Sequence, residues 1–275
     1  MNAGNDGRLD AETLAARQRE AGSKLRVFFS EETGSTNADA AAMLAAGTPP
    51  GDFAVVAGRQ TAGRGRLGRK WESAREGNLY LSCAFRPNVR PERLANLTLW
   101  FGVAVAEMLR EKFGVPAFVK WPNDIFCLGK KTAGMLAEAR VDASRVRGVV
   151  FGIGLNVNLD PAELPGALRD SAASMRSVLG LSAPLDANRV GAETLAALER
   201  AYEDFLAGTH EEKLAARWDA FDFLAGKRVR AVYGNEEITG TARGIDAGGC
   251  IRIEDAAGTL RAFSAGDVLL KKDFS

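Results

Sequence analysis

The stretch Gly58-Arg59-Gln60-Thr61-Ala62-Gly63-Arg64-Gly65-Arg66-Leu67-Gly68-Arg69-Lys70-Trp71 is rich in cations and glycines and has no acidic residue before Glu72. Such a segment has no apolar face to bury, so we expect it to be mobile by itself. Glycine lets backbone N–H groups approach a phosphate, and guanidinium groups pair with phosphate or carboxylate oxygens. We therefore predict a loop that orders around a polyanionic ligand, with a solvated basic loop or an RNA contact as the alternative.

Two common phosphate-binding motifs do not describe this loop. The sequence contains no G-x-x-x-x-G-K-[ST], so the loop is not a Walker A motif. The pattern Gly63-x-Gly65-x-x-Gly68 lies in a charged segment with no clear helix after it, which argues against a dinucleotide fingerprint.

Strands and helices alternate on both sides of the loop. Before it, we predict a strand at Val27-Phe28-Phe29, a helix that follows Ser35 and ends at Gly47, and a buried strand from Phe53 to Ala57. The further predicted elements are strands over 78–85, 117–121, 131–139 and 147–156, a helix that Pro91 opens and Gly114 ends, and a helix over 186–206.

After Gly226 the chain changes to short alternating strands, with turn pairs at Gly234-Asn235 and Gly248-Gly249. The predicted strands cover 229–232, 238–245, 251–253, 260–263 and 268–270. We therefore predict an α+β fold with a C-terminal β-barrel. The expected division is a tail with one short helix over 1–24, a main domain over 25–225 and the small module over 226–275.

Composition excludes several classes of function. The 36 Lys and Arg residues against 35 Asp and Glu residues leave no global field to attract DNA or a membrane. The cysteines Cys83, Cys127 and Cys250 form no C-x-x-C pair, which suits a reducing compartment. The one histidine, His210, lies in a polar stretch that predicts a solvated helix face, so we set His-dependent nucleophilic catalysis aside. We find no signal peptide and no apolar run long enough for a bilayer, and expect a cytoplasmic protein.

Three further motifs lie near predicted strand ends. They are Lys120-Trp121-Pro122-Asn123-Asp124, Lys131-Thr132-Ala133-Gly134-Met135-Leu136 and Gly152-Ile153-Gly154-Leu155-Asn156-Val157-Asn158. Each also has a purely structural interpretation, because Trp-Pro-Asn-Asp makes a good turn and a glycine in a strand can mark a bulge.

Taken together with the loop, these motifs resemble the biotin–protein ligases. The order is G-R-G-R-x-G-R-x-W, K-W-P-N-D, K-x-A-G and G-x-G-x-N, and the resemblance covers about Leu25 to Lys271. It implies a mixed-sheet catalytic domain similar to class II synthetases, followed by an SH3-like barrel. It also implies an ATP-dependent ligase that forms biotinyl-5'-AMP and transfers biotin to a lysine of a biotin carboxyl carrier domain of acetyl-CoA carboxylase or a related carboxylase.

The resemblance implies a role for each matching residue. The catalytic residues would be Arg66 and Lys131, and biotin would be bound by Ser35, Thr36, Asn37, Gln60, Arg64, Gly65, Arg66 and Lys131. The nucleotide would be bound by Arg69, Trp71, Asn123 and Asn156. Asp124 would serve a metal or orient the acceptor lysine. Mg²⁺ would accompany ATP, without a dedicated cluster of protein ligands.

The resemblance also leaves points open. About 24 residues precede the first strand, fewer than a winged helix needs, so we expect no regulatory DNA binding. The region 171–179, where the family covers adenine, has no tryptophan, and Met175 or Leu179 are the candidate replacements. A homodimer is compatible with the sequence. The alternatives are a lipoate or octanoate ligase, and a nucleic-acid-binding module that uses Trp71 for stacking.

Overall fold

A computed structural model of the chain describes residues 7–73, 76–142, 144–233, 236–264 and 266–270, and the predicted turn Gly234-Asn235 lies outside these ranges. The helices are α1 (Ala11–Ala21), α2 (Thr36–Ala46), α3 (Leu97–Phe113), α4 (Gly166–Arg169), α5 (Met175–Val178), α6 (Ala187–Ala207) and α7 (His210–Phe221). The strands are β1 (Arg26–Thr33), β2 (Phe53–Gln60), β3 (Leu79–Phe85), β4 (Ala117–Lys120), β5 (Asp124–Cys127), β6 (Lys130–Asp142), β7 (Arg145–Leu155), β8 (Arg228–Tyr233), β9 (Glu236–Ile245), β10 (Ile251–Glu254), β11 (Leu260–Phe263) and β12 (Asp267–Leu270).

The main sheet is mixed, which confirms the predicted fold class. Its strand order is β1-β2-β3-β7-β6-β5-β4, with β1 and β2 parallel and every other neighbouring pair antiparallel. The motif-bearing strands β5, β6 and β7 are therefore neighbours in space.

The two faces of this sheet can be assigned from the alternation within single strands. In β2, Phe53 and Val55 belong to the apolar cluster beneath α2, whereas Ala54 and Val56 belong to the larger cluster that contains α3 and α6. Successive side chains of a strand point to opposite faces, so two separate cores form on one sheet.

Two local details differ from the sequence prediction. The segment Pro91–Leu94 is a 3-10 turn, and α3 begins only at Leu97, because the backbone bond from Ala95 N to Glu92 O closes the tighter i to i−3 ring. Strand β5, which was not predicted, lies between β4 and β6, and the turn Leu128-Gly129 joins it to β6.

The N-terminal segment contains the predicted short helix, α1, and this helix packs on the main domain. Helix α1 buries Leu14, which is 1% exposed, against α6, where a Cβ at Gly191 would lie 3.2 Å from Leu14 Cδ1. Asp10 caps the helix by accepting a hydrogen bond from Thr13 N at 2.8 Å. Leu14 is the buried apolar side chain of α1, and polar contacts such as the ion pair from Arg17 to Asp186 at 3.3 Å add to the attachment of the helix. The division at residues 24 and 225 remains a prediction.

The C-terminal module is a five-stranded antiparallel sheet in the order β11-β10-β9-β8-β12, consistent with the predicted SH3-like fold. Within the described ranges, no pairing of β11 with β12 closes the sheet into a barrel. The module shares the larger apolar cluster with the main domain, and Trp121 Nε1 donates to Gly249 O at 2.9 Å across the junction.

His210 corrects a further expectation. Its side chain is 0% exposed, and its ring lies 5.0 Å from the Phe205 ring, so it faces the core and not solvent. Burial lowers the pKa of His210, and nearby Arg93 lowers it further while Glu211 opposes the shift.

Along the described part of the chain, no helix has the length and apolar character needed to cross a bilayer.

Candidate active site

The floor of the main cleft is the α2-facing side of β3, β7 and β6. Gly154 pairs with Gly134, and Gly152 pairs with both Leu136 and Ser82. Directly opposed residues of antiparallel strands share a face, and Val150, two positions before Gly152, lies in the core beneath α2. Because the glycines carry no side chain on that face, the sheet is locally shallow and a cleft forms beyond the end of the α2 core.

Trp71 fills part of this shallow floor. A Cβ at Gly154 would lie 2.5 Å from Trp71 Cε2, and a Cβ at Gly134 would lie 2.8 Å from Trp71 Cζ3. The glycines of the K-x-A-G and G-x-G-x-N motifs therefore admit the ring of the tryptophan that ends the basic loop. Trp71 Nε1 is buried and has no hydrogen-bond acceptor among the described residues.

One end of the cleft is a buried polar network around the start of α2. Thr36 donates to Gln60 Oε1 from its backbone N at 2.8 Å and from its hydroxyl at 3.1 Å. Ser82 Oγ lies 2.6 Å from Asn37 Oδ1 and 2.8 Å from Thr36 Oγ1. Asn37 Nδ2 donates to Glu138 Oε2 at 2.8 Å and to Leu136 O at 3.3 Å. The Asn37 amide N–H groups are thus used inside the protein.

Lys131 occupies the centre of the cleft. Its Nζ lies 2.7 Å from Asp124 Oδ1 and 5.3 Å from the centroid of the Trp71 ring. Asp124 begins β5 and Lys131 is the second residue of β6, so the hairpin brings the two motifs into contact. The Lys131 ammonium is thus held between the Asp124 carboxylate and the face of the Trp71 indole. In this fixed position it can contact a reacting oxygen of a bound substrate.

The cations around the cleft differ in how they are compensated. Arg64 pairs with Glu138 at 3.1 Å, Lys131 pairs with Asp124, and Arg69 pairs with Asp267 of the C-terminal module. Arg66 Nη1 has neutral partners, Asn123 Oδ1 at 3.4 Å and Gly266 O at 3.5 Å. Among the described residues, no carboxylate lies within ion-pair distance of Arg66. Its charge is therefore available to an anionic ligand, unlike the paired charges of Arg64, Arg69 and Lys131.

The basic loop has more internal structure than its sequence indicated. Gly65 N donates to Arg69 O at 2.7 Å, Trp71 N donates to Gly63 O at 3.0 Å, and Arg64 pairs with Lys70 as an isolated antiparallel bridge. These backbone contacts close the glycine-rich segment into a turn, although it has no apolar face to bury.

The opposite end of the cleft is formed by segments that follow β7. Asn156 Nδ2 donates to Ala173 O at 3.0 Å, and Lys131 N donates to Ser171 O at 2.8 Å, so the 171–173 segment is attached to β6 and β7. Asn123 Nδ2 donates to Met135 O at 2.7 Å. These bonds fix the positions of both asparagines in the cleft wall.

The candidates for the adenine cover need correction. Met175 is 0% exposed and belongs to the core, and neither it nor Leu179 lines the cleft. The apolar side chains that do line this end are Leu159, Leu164 and Leu168. They lie on the connection between β7 and α5, upstream of the region 171–179 that was predicted to cover adenine.

The cleft brings together every site residue that the sequence predicted. A cavity of about 320 Å³ is lined by Ser35, Thr36, Asn37, Gln60, Arg64, Gly65, Arg66, Arg69, Trp71, Asn123, Asp124, Lys131 and Asn156. This volume is within the range of small-molecule sites. Asp267, Val268 and Leu269 of β12 line it as well, so the C-terminal module forms part of the wall. The individual roles remain predictions.

Sequence reasoning missed Ser82 and Glu138. Ser82 is a 0% exposed hydroxyl within the wholly buried strand β3, and an isolated serine in an apolar run is the signal that could have revealed it. Glu138 follows the K-x-A-G motif by four residues on β6, and no local pattern distinguishes it from an exposed acid. Within the described ranges, no group of three or more His, Cys, Asp or Glu side chains could hold a metal ion.

The fold and the cleft define a ligase of the biotin and lipoate type. Residues 30–156 match the Biotin/lipoate A/B protein ligase family, and residues 225–271 match the Biotin protein ligase C terminal domain. The biotin--[acetyl-CoA-carboxylase] ligase of Mycobacterium tuberculosis is 36% identical over 243 residues, which covers 86% of each chain. The chain belongs to the biotin protein ligase family. These comparisons confirm the resemblance to the biotin–protein ligases that the sequence motifs indicated. They also confirm that the enzyme class is a ligase.

Two further relatives extend the comparison. The bifunctional ligase/repressor BirA of Bacillus subtilis is 36% identical over 223 residues, which is 81% of this chain and 67% of that protein. The solved structure of the biotin protein ligase from Aquifex aeolicus in complex with biotin and ATP has a TM-score of 0.74 and 29% identity. It covers 90% of this chain and 98% of its own.

Proposed function

We propose that this chain activates biotin with ATP to biotinyl-5'-AMP and then transfers the biotinyl group to a lysine of a biotin carboxyl carrier domain, as in acetyl-CoA carboxylase. The observation that carries the proposal is the convergence of Arg66 and Lys131 in one cleft, between the polar network of α2 and the leucine-lined end after β7. The cytoplasm, where ATP and carboxylases are available, is the proposed location.

In the first step, a biotin carboxylate oxygen attacks the α-phosphorus of ATP and pyrophosphate leaves. Negative charge increases on the non-bridging phosphate oxygens in the transition state, so fixed cations that face this charge lower the barrier. Arg66 is assigned this role because its partners are neutral and its charge is uncompensated. Lys131 would contact the carboxylate and phosphate together from its position beside Asp124.

The biotin ring system is assigned to the α2 end of the cleft. Ser35 and Thr36 supply hydroxyls and Gln60 supplies an amide N–H for the ureido group. Asn37 contributes differently, because its N–H groups already bind Leu136 and Glu138. Only its oxygen, which also accepts from Ser82, can face a ligand donor.

In the second step, the amine of an acceptor lysine attacks the mixed anhydride carbon and AMP leaves. The amine must approach as a neutral nucleophile, and a carboxylate near the reacting carbon can accept a hydrogen bond from it. Asp124 is the candidate for this orientation, since its side chain is 19% exposed at the centre of the cleft. No covalent enzyme intermediate is required by this sequence of steps.

Mg²⁺ fits this site only as a companion of ATP. The cleft lacks three clustered metal ligands in its described part, and Asp124 is the central carboxylate that could join phosphate oxygens around the ion. When bound, Mg²⁺ would neutralise phosphate charge. Arg66 and Lys131 would still have to position the reacting groups.

The test is a carboxylate-dependent exchange of pyrophosphate into ATP, with biotin and lipoate compared at equal concentrations. We expect exchange with biotin, and a mass increase of one biotinyl group on a carrier domain incubated with the protein, ATP and biotin. Exchange with lipoate alone would assign the chain to the lipoate branch. Salt-sensitive RNA binding without any exchange would contradict the ligase proposal altogether.

A further inference from the structure

Glu138 connects the α2 end of the cleft with the basic loop. Its Oε2 accepts hydrogen bonds from Asn37 Nδ2 at 2.8 Å and from Arg64 Nη2 at 3.1 Å. Asn37 belongs to the first turn of α2, and Arg64 begins the turn of the basic loop. A single carboxylate oxygen therefore ties the loop to the wall of the biotin end.

The strand register explains why Glu138 reaches both partners. Glu138 pairs with Val150, one row beyond the pair of Leu136 and Gly152, and all of these residues share the α2-facing side of the sheet. Asn37 stands over Gly152, where a Cβ would lie 2.8 Å from its Cγ and closer still to its Oδ1. Because Gly152 has no side chain, the Asn37 amide can extend across the sheet to the neighbouring pair of residues that contains Glu138.

The position of Arg64 determines the position of the rest of the loop. Arg64 bridges to Lys70, and Gly65 N bonds to Arg69 O, so the turn that carries Arg66 is closed by backbone contacts within the loop. Holding the Arg64 guanidinium on β6 therefore holds Arg66 over the cleft. The guanidinium has five N–H donors, so binding Glu138 leaves donors available for a ligand.

We propose that Glu138 is a positioning residue that latches the basic loop over the bound acyl-adenylate and so sets how long this intermediate is retained. The latch rests on the proposed function. It acts through Arg64 and Asn37 and does not touch the reacting atoms. Loss of the latch shortens the time that Arg66 spends over the phosphate, so the adenylate escapes before the acceptor arrives.

The solvent exposure of the Arg64–Glu138 ion pair determines how strongly its loss should affect adenylate release. The Arg64 and Glu138 side chains are 45% and 39% exposed, so solvent screens their pairing and the effect is modest. We expect Glu138→Gln, which keeps an acceptor for Asn37 but removes the charge that holds Arg64, to speed adenylate release about two- to five-fold. The KM for biotin should rise by a similar factor while kcat for adenylate formation changes less.

A matched control exists on the neighbouring strands β1 and β2, just before the loop. Glu32 pairs with Arg59 at 3.1 Å with side-chain exposures of 52% and 48%, nearly the values of the Arg64 pair, and Glu32 does not line the cleft. Glu32→Gln should therefore leave adenylate release, KM and kcat unchanged. A structural effect of removing any half-exposed ion pair near the loop would appear equally in both variants.

The experiment measures release of preformed radiolabelled biotinyl-adenylate from wild type, Glu138→Gln, Glu138→Ala and Glu32→Gln, with thermal melting as the folding check. Support is faster release in both Glu138 variants, larger for alanine, with normal release in Glu32→Gln. A double-mutant cycle with Arg64→Gln should show that the two effects are not additive. Equal release from wild type and both Glu138 variants would overturn the latch, whereas absence of adenylate from wild type would reject the proposed function instead.

Discussion

Asn37 occupies the space that a side chain at Gly152 would need. A Cβ at 152 would lie 2.8 Å from Asn37 Cγ, closer than real Cβ contacts, and Asn37 is itself fixed by Ser82, Leu136 and Glu138. The glycine of the G-x-G-x-N motif is thus required by the packing of α2 on the sheet. No turn or positive φ at this position demands it.

We therefore expect Gly152→Ala to raise the KM for biotin at least ten-fold and to lower the free energy of unfolding by about 1–3 kcal/mol, because the rigidly held amide cannot move away. Steady-state exchange kinetics and denaturant unfolding measure both effects. Gly166→Ala is the control, since nothing lies within 4 Å of a Cβ there. A normal biotin KM in Gly152→Ala would show that Asn37 can be displaced without cost.

The fold was predicted well wherever the hydrophobic periodicity was clear and capping or turn residues marked the ends of an element. The helix that follows Ser35 and ends before Gly47, and the strands of the C-terminal module, were found where they were expected, because caps, glycine stops and alternation are local signals. Strand β5 was missed, since Asp124–Cys127 has only four residues directly after a turn. Helix α1 was underestimated because its attachment depends on a distant glycine, Gly191.

The site was predictable to the extent that its motifs are contiguous in sequence. The cleft collects all the residues that the motifs named. What could not be predicted depends on strand register and ion pairing. Which residues lie opposite each other across the cleft determines that Glu138 faces Arg64 and that Lys131 has Asp124, whereas Arg66 has only neutral partners among the described residues.

Arg66→Ala should lower the rate of biotin-dependent pyrophosphate exchange about a hundred-fold or more, because it removes the cation that faces the developing phosphate charge. Arg59→Ala is the matched control, since Arg59 lies at the end of β2, just before the loop, and pairs with Glu32. Exchange rates at saturating ATP and biotin provide the measurement. Near-normal exchange in Arg66→Ala would mean that the charge-stabilising role belongs to another residue.

Lys131→Ala should be at least as damaging to exchange as Arg66→Ala. It removes the central cation and also leaves Asp124, 2.7 Å away, as an uncompensated carboxylate that repels anionic substrates. Adding Asp124→Asn to the alanine variant removes this repulsion and should recover part of the lost ATP and biotin binding, though not the rate. If Lys131→Ala bound both substrates normally, the electrostatic interpretation of the pair would be wrong.

Leu168→Ala should raise the KM for ATP about three- to ten-fold and leave the KM for biotin unchanged, because Leu168 lines the end of the cleft assigned to the nucleotide. Leu181→Ala is a control of similar exposure, 42% against 40%, at a position outside the cleft. The two KM values are measured separately by exchange kinetics. An equal rise in the KM values for ATP and biotin would contradict the assignment of Leu168 to the nucleotide end of the cleft.

His210→Phe should flatten the dependence of stability on pH at and below the unfolded histidine pKa of about 6.5. Burial lowers the pKa of His210 below its unfolded value, so the unfolded chain binds a proton first and native stability falls as pH falls through the unfolded pKa of about 6.5. Phenylalanine cannot bind this proton. Burial raises the pKa of Asp52 and Asp222, which act in the opposite sense, so the melting temperatures of the two proteins are compared at each pH. Parallel pH curves for variant and wild type would contradict the assignment.

Removal of residues 227–275 should destabilise the whole chain as well as impair turnover, because Val229, Ile251 and Val268 belong to the same apolar cluster as the main domain. Asp267→Asn separates the two effects, since it weakens only the ion pair to Arg69 at the cleft wall. We expect the truncated chain to melt at least 10 °C lower or to be insoluble, and Asp267→Asn to melt normally while its KM for ATP rises a few-fold. A truncated chain that melted like the full one would show that the shared cluster contributes little to the stability of the main domain.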